Sequence, residues 1–244
     1  MKNNLKYIVA VIAIFFIQIN NLYSEDFNFE ASEVQILDKG EKLKAINGVN
    51  ITTNDGVKIS SNEFEYNKIT LILIAKGNVK VLDSLNQIVF EAPKIIYHKK
   101  KELILTEGKT NAVIQNSYNI LTKDISLNRK NKEIISNNKT TIKDNEDNIF
   151  MLQKFHYSAK GKLFKGKKIK YIDHLKDEFF FEEALIDTNL KKIIGKDITI
   201  NFNNSSFKAK NEPRLKGNTF YSDKEKTKVS KGVFTTCKKR EGCP

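Results

Sequence analysis

The chain of 244 residues carries 42 Lys and Arg against 29 Asp and Glu, a net charge of +13, with 40% hydrophobic residues and no tryptophan. Its length suits one elongated domain or two small ones. So basic a chain attracts nucleic acid, anionic lipid headgroups or phosphorylated glycolipids, but its lysines are spread along the whole sequence and form no arginine-rich stripe, which argues against nucleic acid.

In chain order, the first element is a short positive segment with Lys2 and Lys6, followed by an apolar run from Tyr7 to Ile19 broken only by Gln18. Leu22-Tyr23-Ser24 then places a small residue at a cut site. This is the layout of a secretory leader over residues 1–24. The rival reading is an uncleaved anchor, but a spanning helix needs about 20 apolar residues, and this run is shorter. No later segment is apolar for long enough to span a bilayer as a helix.

An internal repeat follows. Leu43, Ala45, Asn47, Val49 and Ile51 return about 30 residues later as Leu73, Ala75, Gly77, Val79 and Val81. They return again as Ile104, Thr106, Gly108, Thr110, Ala112, and as Ile134, Ser136, Asn138, Thr140, Ile142. A second set of columns moves in step: Val57, Ile59, Ser61, Phe64, Tyr66; then Ile88, Phe90, Ala92, Ile95, Tyr97; then Tyr118, Ile120, Thr122, Ile125, Leu127; then Asn148, Phe150, Leu152, Phe155, Tyr157. The alternation of apolar and polar residues is that of half-buried strands. In every copy of the second set the phase slips by one residue after a small or apolar position, as between Ser61 and Phe64, which predicts a bulge or corner. Gly or Asn at the middle of the first set is consistent with a bend or tight packing there. Asn54-Asp55-Gly56 and Asp83-Ser84-Leu85-Asn86 carry turn chemistry. One unit cannot bury its apolar side alone, whereas stacked units make a continuous interior. The expected fold is therefore all-β, built of stacked short strands.

The pattern loosens after Tyr157. Lys160 to Lys176 is strongly basic, 178–184 reads as a strand, Gly195, Ile198 and Ile200 echo the second column set, and Val229 to Phe234 is a last copy-like piece. Lys99 to Lys101 and Lys165 to Lys170 read as solvated faces or edge-strand protection, with contact to phosphate groups as the functional alternative. Glu182-Glu183 reads as a turn or edge feature.

Little in the chain suggests catalysis. His98 reads as solvated, His156 as outward-facing, and His174 beside Asp173 is the one arrangement resembling acid-base chemistry; neighbours in a strand point to opposite faces. No phosphate loop, nucleophile turn or metal-spaced cluster occurs. Cys237 and Cys243 allow a small disulfide loop, or equally a partner elsewhere, and without nearby histidines they do not complete a zinc site. No enzyme activity, cofactor or metal is expected.

The repeat resembles the OstA-like module of lipopolysaccharide-transport proteins, in the run Gly77 to Val81 followed by Ile95 to Tyr97, over roughly Ala31 to the end. Pro213-Arg214-Leu215-Lys216-Gly217, Lys231 to Cys237 and Cys243-Pro244 resemble the run that leads from the periplasmic domain of the outer-membrane assembly protein LptD into its barrel. The resemblance implies a repeating β-jellyroll, or β-taco, of short antiparallel strands over 25–222. Residues 223–244 would then supply the last strand and the start of the connection to a β-barrel that this sequence does not contain. It implies a periplasmic protein at the outer membrane that binds lipopolysaccharide and passes it on. The lipid A acyl chains would lie against Val57, Ile59, Phe64, Ile88, Phe90, Ile95, Ile120, Ile125, Phe150 and Phe155. Further implied partners are other such modules stacked end to end, and the barrel with its lipoprotein plug. In that family, cysteines of the N-terminal domain pair with barrel cysteines, which competes with pairing of Cys237 and Cys243. The alternatives are a soluble periplasmic bridge like LptA, or a structural adaptor whose core is closed. For any single interior residue, plain core packing is as good a reading as ligand contact.

Overall fold

The computed structural model describes residues 27–203 and 211–238, so the leader expected over 1–24 and Cys243 lie outside the described residues. Those residues form one antiparallel sheet of 20 strands and two short 3-10 turns, Asp38–Gly40 and Lys99–Lys101. The strands are β1 (Phe27–Leu37), β2 (Lys42–Thr53), β3 (Val57–Ser61), β4 (Glu63–Asn67), β5 (Ile72–Asp83), β6 (Ile88–His98), β7 (Leu103–Glu107), β8 (Lys109–Ile114), β9 (Tyr118–Lys123) and β10 (Ser126–Asn128). They continue as β11 (Glu133–Ser136), β12 (Thr140–Asp144), β13 (Ile149–Leu152), β14 (Lys154–Ser158), β15 (Leu163–Ile172), β16 (Glu178–Asp187), β17 (Lys192–Asn201), β18 (Arg214–Ser222), β19 (Thr227–Ser230) and β20 (Val233–Thr235). No helix among the described residues is long and apolar enough to cross a membrane.

The long strands, 9 to 12 residues once their two arms are taken together, bend once, where the column pattern predicts a corner. The first half of β2 pairs with β4 and its second half with β3, so β3 and β4 are two arms of one bent strand. The same holds for β7 with β8 against β6, and for β13 with β14 against β15. The corners fold the sheet into two walls. Wall I contains 49–53, β3, 79–83, 88–92, β8, β9, β12 and β13; wall II contains 42–45, β4, 72–76, 94–98, β7, β10, β11 and β14. β15 to β18 run through both. The turns fall on two opposing rims, away from the corner. Many open with an Asn or Asp whose side chain accepts the turn amides, as Asn67, Asp187 and Asp223 do.

At Gly77 the backbone has φ +76°, and a Cβ there would lie 2.6 Å from Asn62 Nδ2. Gly77→Ala is therefore strained in backbone and side chain together, and should cost about 2 kcal/mol. Gly40→Ala meets a similar φ, +97°, with nothing within 4 Å, and should cost half as much or less. Urea midpoints of the two variants check this; equal losses would show that the Asn62 contact does not hold the corner.

Apart from the Gly or Asn column at the corner, where Asn47 is exposed, the residues of both column sets face the interior, and Leu73, Val81, Ile95, Tyr97, Ile104 and Tyr157 are among those wholly buried. Small columns beside the corner carry hydroxyls in the third and fourth units. Thr106 Oγ1 lies 2.7 Å from Thr110 Oγ1 and accepts the Ile125 amide, and Thr122 Oγ1 lies 2.9 Å from Ser136 Oγ and 2.8 Å from Thr140 Oγ1. These groups are buried, and their mutual bonds offset the cost of removing them from water. At the ends, among the described residues, β1 pairs only with β2, and β19 and β20 only with β18. Ile36 on the first edge is 70% exposed, and Phe234 on the last is 54% exposed.

Candidate functional site

The ten interior residues singled out from the sequence come together. Val57, Ile59, Ile88, Phe90, Ile120 and Phe150 belong to wall I; Phe64 and Phe155 lie in wall II, as do Ile95 and, at the corner beside β10, Ile125. None is more than 5% exposed. The walls touch directly: Phe29 of β1 stacks on Phe64 with centroids 4.6 Å apart, and Phe27 meets Tyr66 at 4.8 Å and Tyr97 at 5.8 Å. At these positions the interior is closed by direct contact of the two walls.

Across the mouth of the first half the rims are tied by a charged cluster. Arg129, on the rim of wall II, is 5% exposed at its side chain; its Nε lies 2.9 Å from Asp83 Oδ2 and its Nη1 2.6 Å from Asp55 Oδ2, both on the rim of wall I. Nη1 also pairs with Glu102 and donates to Tyr97 Oη at 3.0 Å. Lys99 pairs with Asp55 and with Glu102. Asp83 is wholly buried, and its second neighbour is Asn86, whose Nδ2 donates at 2.8 Å. Burial pushes the Asp55 carboxyl up, but the Lys99 ammonium, the Thr53 hydroxyl and the Arg129 guanidinium outweigh it and hold that carboxyl well below the usual carboxylate range. Burial disfavours the Lys99 ammonium, yet its bonds to Asp55 and Glu102 leave it raised overall. Burial also pushes the Tyr97 hydroxyl up to about 12. The cluster is a latch joining segments 46 and 74 residues apart in sequence.

The second half is different. Its rims are linked more thinly, by Gln115 Nε2 donating to Tyr157 Oη at 2.7 Å and by a Lys191–Glu146 pair. Between them opens a cavity of about 570 Å³, a size that suits a small ligand. Its floor is aromatic and aliphatic: Tyr118, Phe150, Tyr171, Phe179, Ile186, Ile193 and Phe220. Phe150 stacks on Tyr171 at 4.5 Å, Tyr171 lies 5.0 Å from Phe179, and Phe179 lies 5.8 Å from Phe220, so the rings pave the floor from wall I to wall II. The rim is polar, with Asp144, Glu146, Asp187, Asp223, Lys191 and Lys224 among its residues. Burial raises the Tyr171 hydroxyl and pushes those of Tyr118 and Tyr157 up to about 12, so all three stay neutral at physiological pH. An apolar floor beneath a charged rim can hold the tail of an amphiphile while its head stays in water.

Among solved structures, several chains resemble this one. The chain is similar to the crystal structure of LptH, the LptA-homologous periplasmic component of the lipopolysaccharide transport device of Pseudomonas aeruginosa, with 11% identity and a TM-score of 0.24 over 55% of this chain and 76% of that one. A superposition that weak carries no inference about ligand or partner. No protein-family model and no curated protein matches the chain.

The structure revises several expectations. Lys99 is not part of a solvated run but sits in the latch, 15% exposed. Lys165, Lys167 and Lys168 are exposed, as expected of a solvated face, but β15 pairs on both sides, so they protect no edge. Glu182 marks the corner of β16, and Glu183 pairs with Lys167 at 2.8 Å, so neither forms a turn. His156 does face outward, with Nε2 3.4 Å from Glu133. His174 reaches the rim of the cavity, but Asp173 Oδ1 accepts the Asp177 amide, and no hydrogen bond joins the His174 and Asp173 side chains among the described residues. Cys237 is disulfide-bonded. The latch is absent from the sequence reading. Its signals were Arg129, one of three arginines in a lysine-rich chain, and Asp83, an acid on the inward phase of Val79 and Val81.

Proposed function

We propose that the chain is a periplasmic module that holds the acyl chains of lipopolysaccharide between its two walls and passes the lipid toward the outer membrane. The observation that carries this reading is the aromatic-floored cavity at the mouth of the second half, which continues into the apolar interior through Phe150. Acyl chains transferred from water onto such a surface gain about 25 cal/mol per Å² buried. The exposed ends of the sheet, with Ile36 at one edge and Phe234 at the other, suit the end-to-end addition of further modules. Within the family, the C-terminal run Pro213 to Cys237 favours the N-terminal domain of the outer-membrane assembly protein LptD over the soluble LptA-like bridge, with a barrel and its lipoprotein plug as further partners. The second reading is an adaptor with a closed core, favoured by the near-complete burial of all ten interior candidates.

Photo-crosslinkers separate the two. Placed at Phe150 and Phe179, which line the cavity, and at Phe90 and Ile120 deeper in the interior, they should capture lipopolysaccharide, most strongly at the first two. Capture only from the outward positions Lys58 and Glu91 would leave the adaptor reading standing.

A further inference from the structure

The outer face of wall I carries a second amphipathic surface, independent of the interior. Side chains alternate across a strand, so each row of residues paired across β9, β12, β13, β15 and β16 shares one face. One outward row reads Leu121, Thr141, Met151, Lys170, Phe180, in direct register across those five strands. Leu121 is 44% and Met151 41% exposed. At about 4.8 Å per strand the row is roughly 19 Å long. Around Leu121 and Met151 the surface forms a hollow of about 490 Å³, bordered by Lys109, Lys123, Lys139, Lys168 and Lys170 and by no acidic residue.

Four of the five bordering lysines are uncompensated. Lys109 stands directly opposite Lys123 across β8 and β9, an arrangement of like charges that destabilises a sheet. Lys109, Lys123, Lys139 and Lys168 have no ion-pair partner among the described residues; Lys170 pairs with Glu178 and lies over the Phe180 ring. The neighbouring carboxylate, Asp124, is turned to the corner, where Oδ1 accepts the Gly108 amide at 2.8 Å. Bare apolar side chains among lysines that repel one another match the chemistry of an anionic lipid interface. Phosphates there would relieve the repulsion while Leu121, Met151 and Phe180 reach the acyl boundary. The patch lies on the outside of wall I and the cavity opens at the rims, so docking by this face leaves the mouth clear.

We propose that this lysine-bordered row seats the protein on an anionic membrane surface. The chain from Glu25 onward, which holds every strand described, should co-sediment with phosphatidylcholine vesicles containing about 30% phosphatidylglycerol, and about 0.5 M salt should release it. Lys109→Glu with Lys123→Glu should weaken binding at least about tenfold, and the milder Lys109→Gln with Lys123→Gln about fivefold or more. Lys58→Glu with Lys130→Glu, the same charge change at exposed positions elsewhere, should stay within about twofold of wild type. Because the chain has no tryptophan, Leu121→Trp gives a single reporter, whose emission should shift to the blue on these vesicles. Equal losses in the two reversal variants, equal binding to pure phosphatidylcholine, no emission shift, or the same shift with inorganic phosphate alone would each overturn the proposal.

Discussion

Arg129→Met is expected to lower folding stability by about 3–5 kcal/mol, because it strands buried carboxylates that the guanidinium now pairs. Asp83 is the critical one. It is wholly buried, and without Arg129 its remaining side-chain partner is the Asn86 amide. The urea midpoint reports the loss. Arg129→Met combined with Asp83→Asn should recover part of it, since an amide left in that place costs less than a charge. Lys99→Met, at a side chain three times as exposed as that of Arg129 (15% against 5%), should be milder and keeps the test open if Arg129→Met fails to fold. The pH dependence has a fixed sign. Asp55 holds its proton more weakly in the folded than in the unfolded chain, so the unfolded state takes up more protons in acid. Its contribution is fully present above about pH 4, near the unfolded carboxyl value, and is lost as the pH falls further. Acid should therefore destabilise the wild type more than Arg129→Met. If both chains lose stability in parallel below pH 4, the latch is not what the acid opens. The same variant should take up an apolar dye in the first half, where the rims are otherwise tied.

Phe164→Ala is expected to act in opposite directions on stability and capacity. The ring is 2% exposed and lies 4.5 Å from Tyr157, 5.4 Å from Tyr118 and 6.4 Å from Phe155. It fills the space between Tyr118 on wall I, a cavity floor residue, and Tyr157 on wall II. Truncation should cost about 3–5 kcal/mol, a fall in melting temperature of roughly 6–20 °C for a domain of this size. The void adjoins the existing cavity, so binding of a long-chain detergent below its micelle concentration should strengthen. Calorimetry of both chains with the same detergent checks this. A variant that loses stability and gains no affinity would mean that the walls collapse onto the gap and that the cavity does not extend inward.

Much of the architecture was legible in the sequence because each unit repeats the same local instructions. Val57, Ile59, Ser61, Phe64 and Tyr66 state an inward phase, a corner and a second inward phase, and the strand pairing follows them residue for residue. What escaped was whatever depends on contacts between turns. Asp55 looked like ordinary turn chemistry, and nothing within its own segment announces a partner 74 residues away. The hydroxyls of Thr106, Thr122 and Ser136 read only as small residues, although Thr106 bonds Thr110 and Thr122 bonds Ser136 beside the corner. The cavity was equally hidden. Its floor draws Tyr171, Phe179, Ile193 and Phe220 from the stretch where the repeat loosens, where column reasoning had least to work with.

The alternation of rims imposes a parity rule on how such a chain can change length. Each bent strand carries the chain from one rim to the other, so a duplication or deletion of two strands returns every later turn to its own side. A single added strand between Asp83 and Arg129 would move the turn of Arg129 to the rim that already holds Asp55 and Asp83, and the three could no longer face one another across the mouth. Insertions in even numbers of strands should therefore be tolerated beyond the latch, whereas an odd insertion inverts everything downstream of it.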